Sequence, residues 1–342
     1  MRAMVLHGVC DLAQEESPLR LEDVPVPEPD AGEVRIRVSA CGVCHTELDE
    51  IEGRTPPPSY PRILGHQVVG RIDRSGDGVA GERIGERVGV GWIFSACGHC
   101  EACREGRENL CAEFVATGRD RHGGYAEYLC VPAEFALPLP PSLDDCAAAP
   151  LLCAGAIGHR SLMLTQLENG QRLGLTGFGA SGHLVLQLAQ YLYPDTQVSV
   201  FARSDTEQQF ARELGAVWAG PTEASPPQDL HAIIDTTPAW LPIVCALEHL
   251  LPGGRLVINA IRKEAGDLDS LLRLRYPEHL WMEKEIKSVA NVTRADITAF
   301  LAHAAAADIR PEYQPYDLED ANRALLSLKR GGTRGAKVLR IG

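Results

Sequence analysis

The sequence predicts an α/β chain in which a β-rich domain is joined to a doubly wound parallel-sheet domain. Three observations predict it. The first 150 residues hold short β-branched runs cut by Gly and Pro, and from about residue 154 strand-like and helix-like runs alternate. The third is a glycine-rich turn, GFGASG, lying between a strand-like run and the helix-like run after it. At 342 residues the chain is long for one core, so two domains are expected.

In order along the chain, VRIRVSA, VVGRI and YAEYLCV read as strands, and the proline-laden VPAEFALPLPPSLDDCAAAP as the approach to a boundary. RLGLT is then a strand, GFGASG a turn and HLVLQLAQYL a helix. QVSVF is a strand, SDTEQQFARELGA a helix, HAIIDTT a strand and AWLPIVCALEHLL a helix. GGRLVINA and IKSVANV close the series as strands. Such alternation implies a parallel sheet with right-handed crossovers. After about residue 290 come two helix-like stretches and the strand-like KVLRI.

Composition narrows the function classes. A net charge of −13 argues against nucleic acid or an anionic membrane as partner. The longest apolar stretch, around CAAAPLLCAGAIG, reads as too short to span a bilayer. The opening MRAMVLHGVC lacks the apolar core of a secretory signal. Eleven cysteines then point to reduced thiols and metal ligands, and the expected compartment is the cytoplasm.

Two cysteine groups carry metal signals. CGHCEACREGRENLC places Cys97, Cys100, Cys103 and Cys111 within fifteen residues, enough thiolates to fill a tetrahedral ion. A closed set of this kind has no room for substrate, so its zinc would be structural and would tie down a loop poor in apolar residues. His99 falls inside the lobe and is expected to face solvent. A nucleic-acid zinc ribbon is the rival reading, disfavoured by the acidic charge. A catalytic zinc instead needs three ligands and a vacancy, for which Cys44, His66 and Cys153 are candidates. Each also has a plainer explanation, Cys153 as a buried thiol and His66 as a satisfied core histidine.

Taken together and in this order, GVCHTEL, GHQVVG, the four-cysteine lobe, APLLCAG and the glycine turn resemble the zinc-dependent alcohol dehydrogenases of the medium-chain dehydrogenase/reductase superfamily. The resemblance covers essentially the whole chain. It implies a GroES-like catalytic domain over 1–153 with a structural-zinc lobe at about 94–113. A Rossmann nucleotide-binding domain over 154–290 and a return to the catalytic domain over 291–342 follow from it. The active site is expected in the cleft between the domains. The resemblance also implies two Zn²⁺ per chain, the catalytic one held by Cys44, His66 and Cys153. Thr46 is the expected hydrogen-bond partner of the substrate oxygen and first proton carrier. The family commonly continues that relay through a histidine where this chain has Asp49, so the route passes through Asp49 or water. Glu47 matches an acid that orients His66. Gln67 stands where the family usually has Glu, and a neutral amide is a poorer transient ligand, which argues against carboxylate exchange at the metal. His45 matches a contact to the cofactor pyrophosphate, and Trp92 a wall of the substrate pocket.

The strand–turn–helix context makes GFGASG a dinucleotide fingerprint over Gly177, Phe178, Gly179, Ala180, Ser181 and Gly182. NAD sites usually place an acid about 20 residues on, at the end of the second strand. Here that point holds Ala202, Arg203 and Ser204, which favours NADP(H), with NAD(H) the alternative. Asp205 is the counter-candidate, but SDTE reads as a capping box that leaves it in a helix first turn. The expected function is interconversion of alcohols with aldehydes or ketones by a homotetramer, or alternatively a homodimer. The rivals are a polyol or formaldehyde-type dehydrogenase on the same scaffold and a redox-inactive zinc- and nucleotide-binding protein.

Overall fold

A computed structural model describes residues 1–331 and 335–342. They divide into two compact units. The first comprises Met1–Ala156, Asn291–Ala305 and Arg310–Gly342, and the second Ile157–Ala290 with Ala306–Ile309.

The backbone of the first unit is the long strand Glu33–Val43, whose alternating EVRIRVSA buries Val34, Ile36, Val38 and Ala40 on one face. It pairs antiparallel with Val68–Ser75, Tyr128–Pro132 and the C-terminal Ala336–Arg340. The register sets Cys41 opposite Val68. Cys44 lies three residues past one partner and His66 two before the other, so both emerge at the same end of the sheet. A small sheet of Leu19–Asp23, Arg2–Leu6 and Arg62–Ile63 lies beside it in sequence, and the short ribbon Ile93–Ser95 with Val115–Ala116 brackets the four-cysteine lobe.

The third candidate ligand arrives on a helix. Asp144 caps Asp145–Pro150 by accepting the Ala147 N–H at 2.8 Å, a contact of about 1 kcal/mol. The chain then widens into a π-helical turn over Leu151–Gly155 before resuming as Ala156–Thr165. Fully buried Leu152 lies against the strand Arg87–Val90 at Gly89, and Gly155 lies against the ring of Phe300. The whole run Asp145–Thr165 is 21 residues, long and apolar enough to cross a membrane by length and composition. That corrects the expectation of a stretch too short to span: the chain stays helical through Pro150. Of its most apolar 18-residue window, 72% is buried inside the protein, which is what a core helix shows.

The second unit carries six parallel strands: Arg172–Thr176, Gln197–Phe201, Trp218–Gly220, Leu230–Asp235, Leu250–Ile258 and Glu285–Ser288. Numbered in chain order, the sheet runs 3-2-1-4-5-6 among the described residues. This is the doubly wound order, with its switch point between the first and fourth strands. Phe201, Ile233, Ile243, Leu247 and Leu256 pack as one core cluster under it. Trp218–Gly220 is the strand the sequence pattern misses, since three residues show no periodicity. The helix expected over AWLPIVCALEHLL is shorter, Leu241–Glu248, because His249 ends it and Leu250 already begins the fifth strand.

Candidate active site and metal centres

Cys44 ends the long strand and begins the helix His45–Ile51. Its N–H donates to Glu47 Oε2 at 2.7 Å in a capping-box arrangement, while Glu47 Oε1 lies 2.6 Å from His66 Nδ1. One buried acid therefore fixes both the helix start and the orientation of the imidazole. It leaves Nε2 facing the thiols, 3.3 Å from Cys153 Sγ. The donor atoms of Cys44, His66 and Cys153 all lie within 4.8 Å of one another.

His66 reaches this place through a tight backbone. Gly65 has φ +96°, and a Cβ there would fall 2.4 Å from Tyr125 Cδ1. The Gln67 side chain lies against the Cα of Gly42, where a Cβ would meet Gln67 Oε1 at 2.2 Å. The electrostatics of the cluster follow from its crowding. Cys153 and His66 pull the Cys44 thiol well below its ordinary value, and Cys44 with burial pushes Cys153 well above. Burial opposes the charge of His66, yet Glu47 and Cys44 outweigh it and raise that group too. Cys41, three residues before Cys44 in the long strand, is fully buried with its thiol raised well above the ordinary value by desolvation; it joins no cluster of donors among the described residues.

Around these atoms, Thr46 Oγ1 is 3.6 Å from Cys44 Sγ and half-buried. Trp92 stands edge-on to His66 with ring centroids 6.5 Å apart and packs on Phe114 at 5.4 Å. His45 is exposed at the first turn of the helix. Asp49 is buried and accepts from Arg54 Nε at 2.6 Å; Arg54 also reaches Glu52, which receives Lys329. Arg54 carries no signal in the sequence beyond its spacing of five residues from Asp49. Glu50 was likewise missed: its carboxyl is fully buried with no hydrogen-bond partner among the described residues, and burial raises it well above the ordinary value.

In the lobe, the thiols of Cys97, Cys100, Cys103 and Cys111 also gather within 4.8 Å. N–H groups turn toward sulfur: Cys100 N–H to Cys97 Sγ at 3.3 Å and Glu113 N–H to Cys111 Sγ at 3.3 Å. Backbone donors from His99 and Cys100 bring Cys97 down to about 6, whereas burial and the neighbouring thiols lift Cys103 to about 12. His99 is exposed and bonds the Cys97 carbonyl oxygen at 2.8 Å. Four thiols of this spacing match a closed tetrahedral zinc site, and two thiols with one imidazole match an open one.

In the second unit, Gly177 has φ +80°, and a Cβ there would meet Thr236 Oγ1 at 2.8 Å. Gly182 opens the helix Gly182–Leu192 pressed on the Gly177 carbonyl, while nothing lies within 4 Å of where a Gly179 Cβ would be. The turn is thus packed on one side and bare on the other. Ala180 and Ser181 complete it, and the Phe178 ring points into the core against Phe210 at 5.4 Å. At the end of the second strand Ala202 is buried and Arg203 exposed. Ser204 Oγ accepts the Glu207 N–H at 3.3 Å in the expected capping box, with Asp205 exposed in the first turn.

Comparison with known proteins agrees with this architecture. Residues 30–141 match the alcohol dehydrogenase GroES-like domain. A probable alcohol dehydrogenase, AdhA, of Mycobacterium tuberculosis is 41% identical over 332 residues, spanning 96% of this chain and 94% of that one. An alcohol dehydrogenase of Geobacillus stearothermophilus is 32% identical, over 94% of this chain and 96% of its own. Among solved structures, cinnamyl alcohol dehydrogenase from Sorghum bicolor superposes with TM-score 0.83 at 25% identity, covering 99% of this chain and 97% of that one. The alcohol dehydrogenase of Aeropyrum pernix shares the fold with TM-score 0.86 at 24% identity, over 99% and 100%. With near-complete coverage of relatives this similar, and with both cysteine clusters assembled, the chain belongs to the zinc-type alcohol dehydrogenase family of the medium-chain dehydrogenases/reductases.

Proposed function

We propose that this alcohol dehydrogenase depends on zinc, uses NADP(H) in preference to NAD(H), and interconverts small alcohols with aldehydes or ketones. The observation that carries the reading is the convergence of Cys44, His66 and Cys153, whose two thiols and one imidazole suit an open zinc site. Bound there, zinc supplies Lewis acidity at the substrate oxygen, and the nicotinamide supplies or accepts hydride.

The chain's own groups do the rest. Glu47 holds the Nδ1 side of His66 so that Nε2 is the nitrogen offered to the metal. Thr46, its hydroxyl beside Cys44, holds the substrate proton at Oγ1. The onward route passes Asp49, whose carboxylate is engaged by Arg54, or water. Trp92 and Phe114 narrow the approach. Gly177, Gly179 and Gly182, with the amide ends of the helix they open, cradle the pyrophosphate, for which the bare side of Gly179 leaves room; His45 adds a contact. Ala202, Arg203 and Ser204 receive the 2′-phosphate, and Ser204 keeps its hydroxyl hydrogen to donate while its oxygen caps the helix.

Two further readings accompany this one. The four-cysteine lobe holds a second, structural zinc. Exposed Leu272, Tyr276, Trp281 and Met282, near in sequence to the edge strand Glu285–Ser288, whose residues are all exposed, support a self-associating enzyme, a homotetramer of the cytoplasm with a homodimer as alternative. The test of function is a panel of alcohols and aldehydes assayed with both cofactors, alongside metal analysis. Steady cofactor turnover with two zinc ions per chain is expected; absence of turnover across the panel would leave only a binding protein.

A further inference from the structure

The second unit contains a buried ion pair that neither metal centre nor the glycine turn uses. Lys263, its side chain 8% exposed, extends from the loop after the fifth strand to fully buried Asp235 at the end of the fourth. Its ammonium donates to the Asp235 carboxylate, to the Thr237 carbonyl at 2.6 Å and to the Ala239 carbonyl at 3.2 Å, which accounts for all three N–H donors. Asp235 Oδ1 in turn accepts from the hydroxyls of Thr176, at the end of the first strand, and Thr237. The same loop grips twice more. Glu264 N–H donates to Pro238 O at 2.7 Å, and the Asp267 carboxylate accepts Trp240 N–H and Leu241 N–H, each at 2.8 Å. Segment 237–241 is therefore held at every residue by the loop that follows the next strand.

The position of that segment gives the holding a purpose. In an open parallel sheet of order 3-2-1-4-5-6, a dinucleotide lies across the carboxyl ends of the strands at the switch point. Its pyrophosphate sits on the glycine turn after the first strand and its adenosine ribose reaches the end of the second. The other half then crosses to the fourth strand, on the opposite side of the first. Thr236 and Thr237 abut Gly177 there, at the distances a Cβ on that glycine would make of 2.8 and 3.0 Å. Burying an ion pair is a costly means of holding a loop, and well-packed apolar groups hold one as firmly. What the ammonium adds is orientation: it turns two carbonyls inward and so fixes the peptide planes of 237–240 before ligand arrives.

On the nucleotide-binding reading above, we propose that Lys263 is a positioning residue for the nicotinamide half of the cofactor, acting through the segment 236–240. Lys263→Met leaves Asp235 buried without its cation and is expected to lower stability, so Asp235→Asn/Lys263→Met, which removes both charges, is the second variant. The measurement is equilibrium binding to the zinc-loaded protein, by fluorescence for NADPH and NADH and by calorimetry for ADP-ribose and its 2′-phosphate. The expected result in the folded variants is a rise of about tenfold or more in Kd for the complete cofactors, with the adenosine-half probes changed less than about twofold. Equal weakening of both kinds of probe would mean a general loosening of the unit and overturn the proposal, as would unchanged binding of both. If the native protein binds neither complete cofactor, the nucleotide reading falls first and this inference with it.

Discussion

At the scale of single residues, the site is made by a few side chains whose roles separate cleanly. Thr46 is the sharpest case, because Val reproduces its shape and lacks only the hydroxyl beside Cys44. Thr46→Val is expected to reduce kcat by about 10²-fold or more while zinc content is retained, the range lost with a positioned proton-transfer group. Near-normal turnover would remove Thr46 from the relay. Gly65 illustrates support rather than chemistry. Gly65→Ala forces a Cβ into the Tyr125 ring at φ +96°, so a loss of about 1–3 kcal/mol is expected in denaturant unfolding, with zinc held less tightly next door at His66. The donors that gather, Cys44, His66 and Cys153, were legible in the sequence as candidates because thiols and an imidazole in this order resemble a family pattern. The ion pair of Asp49 with Arg54, the buried Glu50 and the grip of Lys263 were not: burial of the acidic helix face is set by what packs on it, and Lys263 reaches Asp235 along a loop path that no local pattern encodes.

At the scale of elements, the strand–helix alternation was readable because both periodicities are strong, and the SDTE cap because its geometry is local. The π-helical turn that presents Cys153 was invisible: LLCAG has ordinary helical composition, and the turn's neighbours, Gly89 against Leu152 and Phe300 against Gly155, are distant in sequence. The cap bears on cofactor choice. With Asp205 spent on a helix first turn, Arg203 is the group left at the strand end, and Arg203→Ala is expected to cut kcat/KM for NADPH about tenfold while sparing NADH. A native preference for NADH would refute it. A second element-scale prediction concerns the C-terminal helix Ala321–Arg330, tied to the end of the helix His45–Ile51 by Lys329 and Glu52. Burial works to raise Glu52, but Lys329 and Arg54 outweigh it and leave the carboxyl below its usual 4.5. An acid so depressed contributes stability that is present above 4.5 and lost as pH falls through its lower folded value. Lys329→Met should therefore lower the Tm at pH 7 and by progressively less below pH 4.5. The pair is partly exposed, so an effect under about 1 kcal/mol is expected.

At the scale of the whole molecule, the four-cysteine lobe and the Cys44, His66 and Cys153 group both lie in the first unit, yet they are built on different principles. Cys44, His66 and Cys153 come from a strand end, a strand approach and a helix, each already fixed by sheet register or helix packing. Removing one of them leaves the surrounding fold its hydrophobic support, because Leu152, Val68 and Ile51 are buried regardless of metal. The lobe has no such core: of residues 97–111 only Glu108, Asn109 and Cys111 are buried, and the short helix Glu101–Arg104 buries none of its residues. On the two-zinc reading proposed above, its order comes from the metal. Cys153→Ser is therefore expected to abolish turnover, retain one zinc and leave thermal unfolding nearly unchanged. Cys100→Ser should also lose one zinc, but with a substantially lower Tm and faster proteolysis within 97–111, and with residual activity in the molecules still folded. Metal analysis, differential scanning calorimetry and limited digestion on the same preparations distinguish the two. A native chain that carries a single zinc, or a Cys153→Ser variant that keeps full turnover, would overturn the division of labour between the two clusters.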